Sequence, residues 1–473
     1  MIAGSAPARE NRNMKVPPGP RGLEVFGFFG RNGSGGTLAF LERTARRYGS
    51  ISCFRILHKR LYLVDDPELI KEILVTRQHS FERDSGANLL RELIGDGLLT
   101  REEPRHRERR RMLQPAFHKE QIASYSRIMT RESELVSREW KDGMIVDIRK
   151  QMRGLTLAII GAAMFGADFR ASADAVANVL QRVARRSRWL APAFAFVEPL
   201  VVAYRKAFPH APSLLFRTER KELERIVAPV IEQRRVSGGK DMLSLLLNER
   251  SEEGGSLSAE DIKNEIVTFV LAGHETTATA LTWCWYLLAQ HPEAERRLHE
   301  ELSIVLGERE LTLDDVPRLP YTSMVFQEAL RLYPPALAFA RRTKERLDLG
   351  GYTIPKGASV FLSPYITQRN GQYFERPDEF HPERWIANTA PKFAYFPFGG
   401  GAKMCIGEPF ARLEGVLVLA TLARCWKLEE VSNLPVTFGQ GFLLNPDRPI
   451  LLRVRWRTGT NSQMYLSDVT TAS

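Results

Sequence analysis

Apolar and polar positions alternate in two short runs near the N-terminal end, residues 51–56 and 60–64, with Leu57, His58 and Lys59 between them. β-Branched and aromatic residues fill part of both runs, so they predict a β-hairpin. Asp66 followed by Pro67 is a helix-start signal, with proline at the first helical position. From residue 104 to 345 most of the chain reads as helices with short connections, and strand-like pieces return at 347–363 and 435–456. The longest uninterrupted segment opens at Ser258, which forms a capping-box-like pair with Asp261, and meets no proline until Pro292. That allows a helix of about 30 residues, roughly 45 Å at 1.5 Å per residue. Sustained heptads are absent, and His274, Glu275, Thr276, Thr277 and Thr279 at its middle disfavour a lipid span. A central helix through a large α-rich core is left. No internal repeat and no Gly/Ser linker divides the chain, so the pattern predicts one large folding unit, mainly α with a small β portion.

Two segments keep two readings each. Gly273 lowers helix propensity by about 1 kcal/mol against Ala. Beside Glu-Thr-Thr at mid-helix it suggests a local opening where a ligand approaches the backbone. The alternative is a tolerated glycine, with solvent-facing threonines bonding back to their own turn. Residues Leu190 to Tyr204 are apolar and aromatic, but Glu198, Pro192 and Pro199 interrupt them. They predict no membrane span. They either cap a lipophilic binding site, touch a membrane surface, or form an ordinary buried helix pair.

Composition narrows the class. The chain has 473 residues, 44% apolar and 26% charged, which describes an ordinary globular protein. Length alone suggests about three domains, against the single unit that the pattern predicts. The first 20 residues hold no apolar core for a signal peptide, and a soluble, cytoplasmic protein is expected. Cys53, Cys284, Cys405 and Cys425 form no C-x-x-C pair. That argues against a zinc site or a disulfide scaffold and fits a reducing compartment. The net charge is +11, and one basic run stands out, Arg105-His106-Arg107-Glu108-Arg109-Arg110-Arg111. No nucleic-acid fold signature accompanies it, so nucleic acid is not expected as a partner. A docking face for an acidic protein, or a dispersed surface excess, remains.

Two constellations carry candidate chemistry. Glu328 and Arg331 lie three apart and can pair on one helix face, among apolar neighbours and ahead of Pro334-Pro335. The segment from Phe398 through Gly399-Gly400-Gly401-Ala402-Lys403-Met404 to Cys405 is a glycine-rich loop that leads into an apolar helix over 408–425. A phosphate loop is excluded, because Lys403 is neither preceded by Gly nor followed by Ser or Thr. Amides and a helix dipole at such a loop stabilise a thiolate, which could serve as a nucleophile or a metal ligand.

On these residues the chain resembles the cytochrome P-450 superfamily of haem-thiolate proteins. The Phe398–Gly407 segment is similar to that family's cysteine-ligand loop, and Ala272-Gly273-His274-Glu275-Thr276-Thr277 to its oxygen-activation motif. Glu328-x-x-Arg331 is similar to the K-helix pair and Phe380-His381-Pro382-Glu383-Arg384-Trp385 to the meander. His106-x-x-x-Arg110, followed by Pro115-Ala116-Phe117, is similar to the C-helix. The motifs stand in the family's order, and the resemblance runs from Pro17 to about Trp456. It implies a haem domain over 17–458, a flexible N-terminus over 1–16 and a flexible tail over 459–473.

The resemblance also implies roles. Cys405 would be the axial ligand to the iron of haem b, with Phe398 packed beside it. The glycines, Gly401 among them, would let the loop approach the porphyrin. His106, Arg110, Arg341 and Lys403 would hold the propionates. The family often has Trp where this chain has His106, and Arg or His where it has Lys403. Thr276 would hydrogen-bond the oxygen under activation and organise a water, and Glu275 would relay protons. Glu328, Arg331 and Arg384 would form a buried structural network. The implied enzyme is a monooxygenase that inserts one atom of O2 into an apolar lipid, terpenoid, steroid-like or polyketide molecule. A peroxygenase, epoxidase or desaturase of the family is the alternative, and a non-catalytic haem protein the reading from another class. Electrons would come to a monomer from a separate ferredoxin- or flavodoxin-type system, docking on the Arg105–Arg111 run, with Arg107 and Arg109 as the test positions. Leu98, Leu99, Phe194, Phe196, Val270, Ala272, Leu337, Phe339 and Phe442 are the expected pocket lining.

Overall fold

The structure is a computed structural model that describes residues 15–29, 36–56, 59–208, 213–239, 241–248, 257–387, 389–432, 434–439 and 443–457. Its axis is the helix Ala259–Gln290, 32 residues long and buried over most of its length. Ser258 caps it, accepting from the Asp261 amide at 3.0 Å, while its hydroxyl donates to the Asp261 carboxylate at 2.8 Å. Around it pack the helices Ile148–Ile160, Pro320–Leu332 and Glu408–Cys425. Their apolar faces join it in one core with Trp283 and Trp285, both fully buried. Trp283 stacks on Tyr333 at 4.2 Å and donates its indole N–H to the Leu444 carbonyl at 2.6 Å.

Gly273 does not open this helix. A Cβ there would lie 2.8 Å from Ile160 Cδ1, so the glycine serves the close crossing of Ile148–Ile160. The threonines do bond back, Thr276 to the Ala272 carbonyl at 2.6 Å and Thr277 to the Gly273 carbonyl at 3.1 Å. They are buried or half-buried rather than solvent-facing.

The β portion is small. The hairpin Ile51–Ile56 and Lys59–Val64 begins a five-stranded sheet that continues with Ser359–Leu362, Phe339–Thr343 and Phe81–Arg83. Asp66 caps Pro67–Lys71 through the amides of Glu68 and Leu69, both at 3.0 Å. A second sheet joins Ile145–Asp147, Leu451–Trp456 and Trp426–Glu430. Among the described residues of the stretch 435–456, then, only the last six form a strand.

Ala173–Ala207 is a single helix that runs through Pro192 and Pro199, not a helix pair. The side chains of 188–196 lie outside the described residues. Glu198 is buried and accepts from Lys59 Nζ at 2.9 Å, Ser85 Oγ at 2.8 Å, Asn88 Nδ2 at 3.0 Å and Arg342 Nη2 at 2.5 Å. One carboxylate thus ties this helix to the hairpin, to the helix Ser85–Ile94 and to the strand Phe339–Thr343. Among the described residues no helix is long and apolar enough to cross a membrane.

Candidate active site

Cys405 sits between the turn Gly401–Lys403 and the helix Glu408–Cys425. Its amide donates to the Phe398 carbonyl at 3.0 Å and closes the loop. Arg110, from the helix Arg105–Leu113, donates to the Met404 carbonyl at 2.6 Å, and Arg412 lies 5.0 Å over the Phe398 ring. Gly401 has φ +69°, and a Cβ on it would lie 1.7 Å from the Leu74 carbonyl oxygen. That close approach and the positive φ require glycine here. The Cys405 side chain is exposed yet densely surrounded by protein. The crowding pushes its thiol pKa up; the amides of Gly407 and Glu408 and the charge of Arg110 oppose it, and Glu408 adds to it.

A cluster of cations stands nearby. The strands Phe81–Arg83 and Phe339–Thr343 are antiparallel in a register that sets Arg83 directly opposite Arg341. Like charges so placed repel. Burial, followed by Arg341, pulls the Arg83 pKa down to about 10. Arg341 is 9% exposed, donates to its neighbour's Ala340 carbonyl at 3.0 Å and makes no ion pair among the described residues. Lys403 pairs with Glu102 at 2.8 Å, whose other oxygen accepts from the Arg83 amide at 2.8 Å. His106 is buried, its Nδ1 3.0 Å from Glu103 Oε1. Burial, and then the charge of Arg83, lower its pKa to about 4. Of the side chains of Arg83, Arg341 and Lys403, only that of Lys403 pairs with a carboxylate among the described residues, that of Glu102. Such a surplus of partly buried cations fits a group with two carboxylates, as haem carries, and Cys405 fits its iron. Arg83, Glu102 and Glu103 were not foreseen from sequence, because strand register and loop packing bring them in.

The distal residues separate. Along the buried central helix, Leu271, Ala272, Gly273 and Thr276 are half-exposed. Glu275 is 4% exposed and turned to the helix Ile148–Ile160. It accepts from Arg153 Nε at 2.7 Å, Arg149 Nη2 at 3.4 Å and Asn445 Nδ2 at 3.4 Å. Burial works to raise its pKa, but His274, Arg153 and Arg149 outweigh that and hold it below the usual carboxylate range.

Glu328, Arg331 and Arg384 meet as expected. Arg331 and Glu328 form a two-bond pair at 2.9 and 2.8 Å, both fully buried, and Arg384 Nε reaches Glu328 Oε1 at 2.8 Å.

Other expectations need correcting. Arg109 is no docking residue, because its side chain is 4% exposed and pairs with Asp261 and Glu265 at 3.3 Å each. Arg107 is 73% exposed. The described residues of the expected lining sit in several packing environments. Leu98 and Val270 belong to the main core, Leu337 packs beneath the hairpin, and Leu99 is 40% exposed. Phe339 packs half-buried on Phe396 at 6.1 Å. The Phe194 and Phe196 side chains and Phe442 lie outside the described residues. Two surface clefts of about 420 and 350 Å³ are lined by other residues, including Glu295, His299 and Arg457 in one and Glu42 and Asp65 in the other.

Residues 17–453 match the model of the cytochrome P-450 family. Over 407 residues the chain is 36% identical to cyclooctatin synthase of Streptomyces melanosporofaciens, covering 82% of this chain and 85% of that protein. It is 33% identical over 395 residues to cyclooctat-9-en-7-ol 5-monooxygenase of the same organism, covering 82% and 84%. To pentalenene oxygenase of Streptomyces avermitilis it is 32% identical over 395 residues, covering 80% and 84%.

Proposed function

Since the chain belongs to the cytochrome P-450 family, we propose which of its residues carry out that family's chemistry and on what class of substrate. The protein is a haem-thiolate monooxygenase of an apolar small molecule that uses O2 and a redox partner. Haem bound through a thiolate supplies the oxidising power, because the sulfur donates electron density that favours O–O cleavage. We assign that sulfur to Cys405 and the cofactor to haem b. Gly407 and Glu408 point amides at the sulfur, and Arg110 holds the preceding carbonyl. Arg341, Lys403, Arg83 and His106 take the propionates.

At the half-exposed face of the central helix, Thr276 Oγ1 exchanges its bond to the Ala272 carbonyl for a water and presents a proton. Glu275, once its bond to Arg153 opens, passes a proton to that water. Because Glu275 is held ionised, it takes up a proton from solvent before passing one on.

The substrate we propose is a cyclic terpenoid olefin or alcohol, as the names of the relatives acting on pentalenene and cyclooctat-9-en-7-ol suggest. Electrons reach a monomer from a ferredoxin- or flavodoxin-type protein that meets the exposed Arg105 and Arg107.

The observation that carries this reading is Cys405 in a closed, amide-lined loop beside a surplus of partly buried cations. The test is the carbon monoxide spectrum of the reduced, haem-supplied protein. A strongly red-shifted Soret band that disappears in Cys405→Ala is expected. A histidine-type band, or one that survives the substitution, overturns the assignment. A spin-state shift on adding a cyclic terpene alcohol checks the substrate class.

A further inference from the structure

We propose that Glu103 makes His106 a positively charged bridge, so that seating the cofactor's carboxylate takes up one proton from solvent. The inference rests on the haem reading above.

It starts from the bond between His106 Nδ1 and Glu103 Oε1 at 3.0 Å. An ionised carboxylate only accepts hydrogen bonds, so Nδ1 must carry the hydrogen. The remaining ring nitrogen, Nε2, has no partner among the described residues. In the neutral ring with Nδ1 protonated, Nε2 is a lone pair and repels a carboxylate oxygen. Only the imidazolium donates at both ends, Nδ1 to Glu103 and Nε2 to the propionate.

The surroundings keep the ring neutral until that anion arrives. His106 is 2% exposed, and the charges facing it are Arg83 from the strand Phe81–Arg83 and Lys403 from the loop before Cys405. Glu103 is the carboxylate that opposes them, and its second oxygen is 3.8 Å from Arg107. A propionate at Nε2 adds a second negative partner and draws in the proton. Trp, frequent at this position in the family, donates through a fixed indole N–H and needs no proton. Glu103 is thus a positioning residue that sets the tautomer of His106.

The sign follows from linkage. Binding that takes up one proton weakens as pH rises, by about tenfold per pH unit between the free and bound pKa values of the ring. Haem loss from the loaded full-length chain to excess apomyoglobin should be timed by absorbance from pH 5 to 9. The wild type is expected to lose haem faster as pH rises, approaching that slope over part of the range. His106→Trp should be flat above pH 6. Glu103→Gln should be flatter than wild type, because a glutamine amide can donate to Nδ1 and leave a neutral Nε2–H. A wild-type profile that is flat, or that matches both variants, overturns the proposal; should a variant fail to hold haem, the wild-type slope decides alone. Failure of the wild type to bind haem with a thiolate spectrum refutes the parent reading instead.

Discussion

Arg331→Met tests whether the buried pair acts on folding rather than on chemistry. Arg331 donates five hydrogen bonds, two to Glu328 and one each to the carbonyls of Gln368, Pro377 and Glu379. Methionine fills much of the aliphatic volume but none of these bonds. Removing one partner of a buried ion pair costs about 3–5 kcal/mol. Three carbonyls lose a donor as well, which pushes the cost up. Glu328 keeps Arg384, the Trp385 indole N–H at 3.0 Å and the His381 amide at 3.1 Å, which pulls it down. A net loss of about 4 kcal/mol is expected, a large share of the roughly 5–15 kcal/mol that holds a domain folded. That is about a thousandfold in the unfolding equilibrium. Urea unfolding of the haem-loaded protein, followed by tryptophan fluorescence and by the carbon monoxide band, should show both midpoints falling together. Turnover per bound haem should stay within about twofold of wild type. The exposed Arg296, paired with Glu293 at the same three-residue spacing, serves as the control, and Arg296→Met should leave the midpoint unchanged. An unchanged midpoint for Arg331→Met, or turnover per haem that collapses at wild-type stability, would refute the reasoning.

Three further outcomes follow from burial and charge. Arg107→Glu should slow reduction by an acidic ferredoxin severalfold at low salt and much less at high salt, while folding stays intact. Arg109→Glu should instead cost folding, because it sets a third acid against Asp261 and Glu265. Equal reduction rates for Arg107→Glu and wild type would remove the docking role. Glu198 is opposed by burial, but Lys59, Asn88, Arg342 and Ser85 bring its pKa down to about 2. A depressed folded pKa means that its hold on the helix is full above the ordinary carboxylate pKa of about 4.3 and fades as pH falls toward 2. Hydrogen-exchange protection over residues 197–204, taken relative to the intrinsic rate at each pH, should fall in wild type on acidification and should be low in Glu198→Gln already at pH 7. Identical exchange in both proteins at pH 7 would show that the clamp does not hold that segment.

Reading along the chain succeeded where both partners sit within a turn of each other. Ser258 with Asp261, Asp66 with the amides after Pro67, and Glu328 with Arg331 are all fixed by helix periodicity. The cysteine loop was legible for the same reason, since its closing bond spans only Phe398 to Cys405. It failed where a distant element chooses the orientation. The helix Arg105–Leu113 is polar nearly all round, so its own pattern does not say which arginine turns inward. Asp261 and Glu265 on the central helix decide for Arg109. Arg83 meets Arg341 only through strand register. Pro192 and Pro199 looked like breaks, yet the helix passes through both, so surrounding contacts outweigh a local cost of about 3 kcal/mol each.

The acid and the alcohol of the distal motif carry the same lesson into the mechanism. Consecutive residues on a helix lie about 100° apart, since 3.6 residues complete a turn. Glu275 and Thr276 therefore cannot face one space together while the helix stays regular, and Ala259–Gln290 is helical throughout. The structure gives the half-exposed face to Ala272 and Thr276, four apart, and gives Glu275 to Arg149 and Arg153, also four apart on the neighbouring helix. Gly273 lets that neighbour approach closely enough for the arginines to reach. In the relay proposed above, a proton passing from Glu275 to Thr276 would cross from one helix face to another, by a bridging water or by rotation of the carboxylate away from Arg153. Either route makes the strength of the Arg153 bond a control on proton delivery. Arg153→Gln should therefore change how rate depends on pH more than how tightly substrate binds.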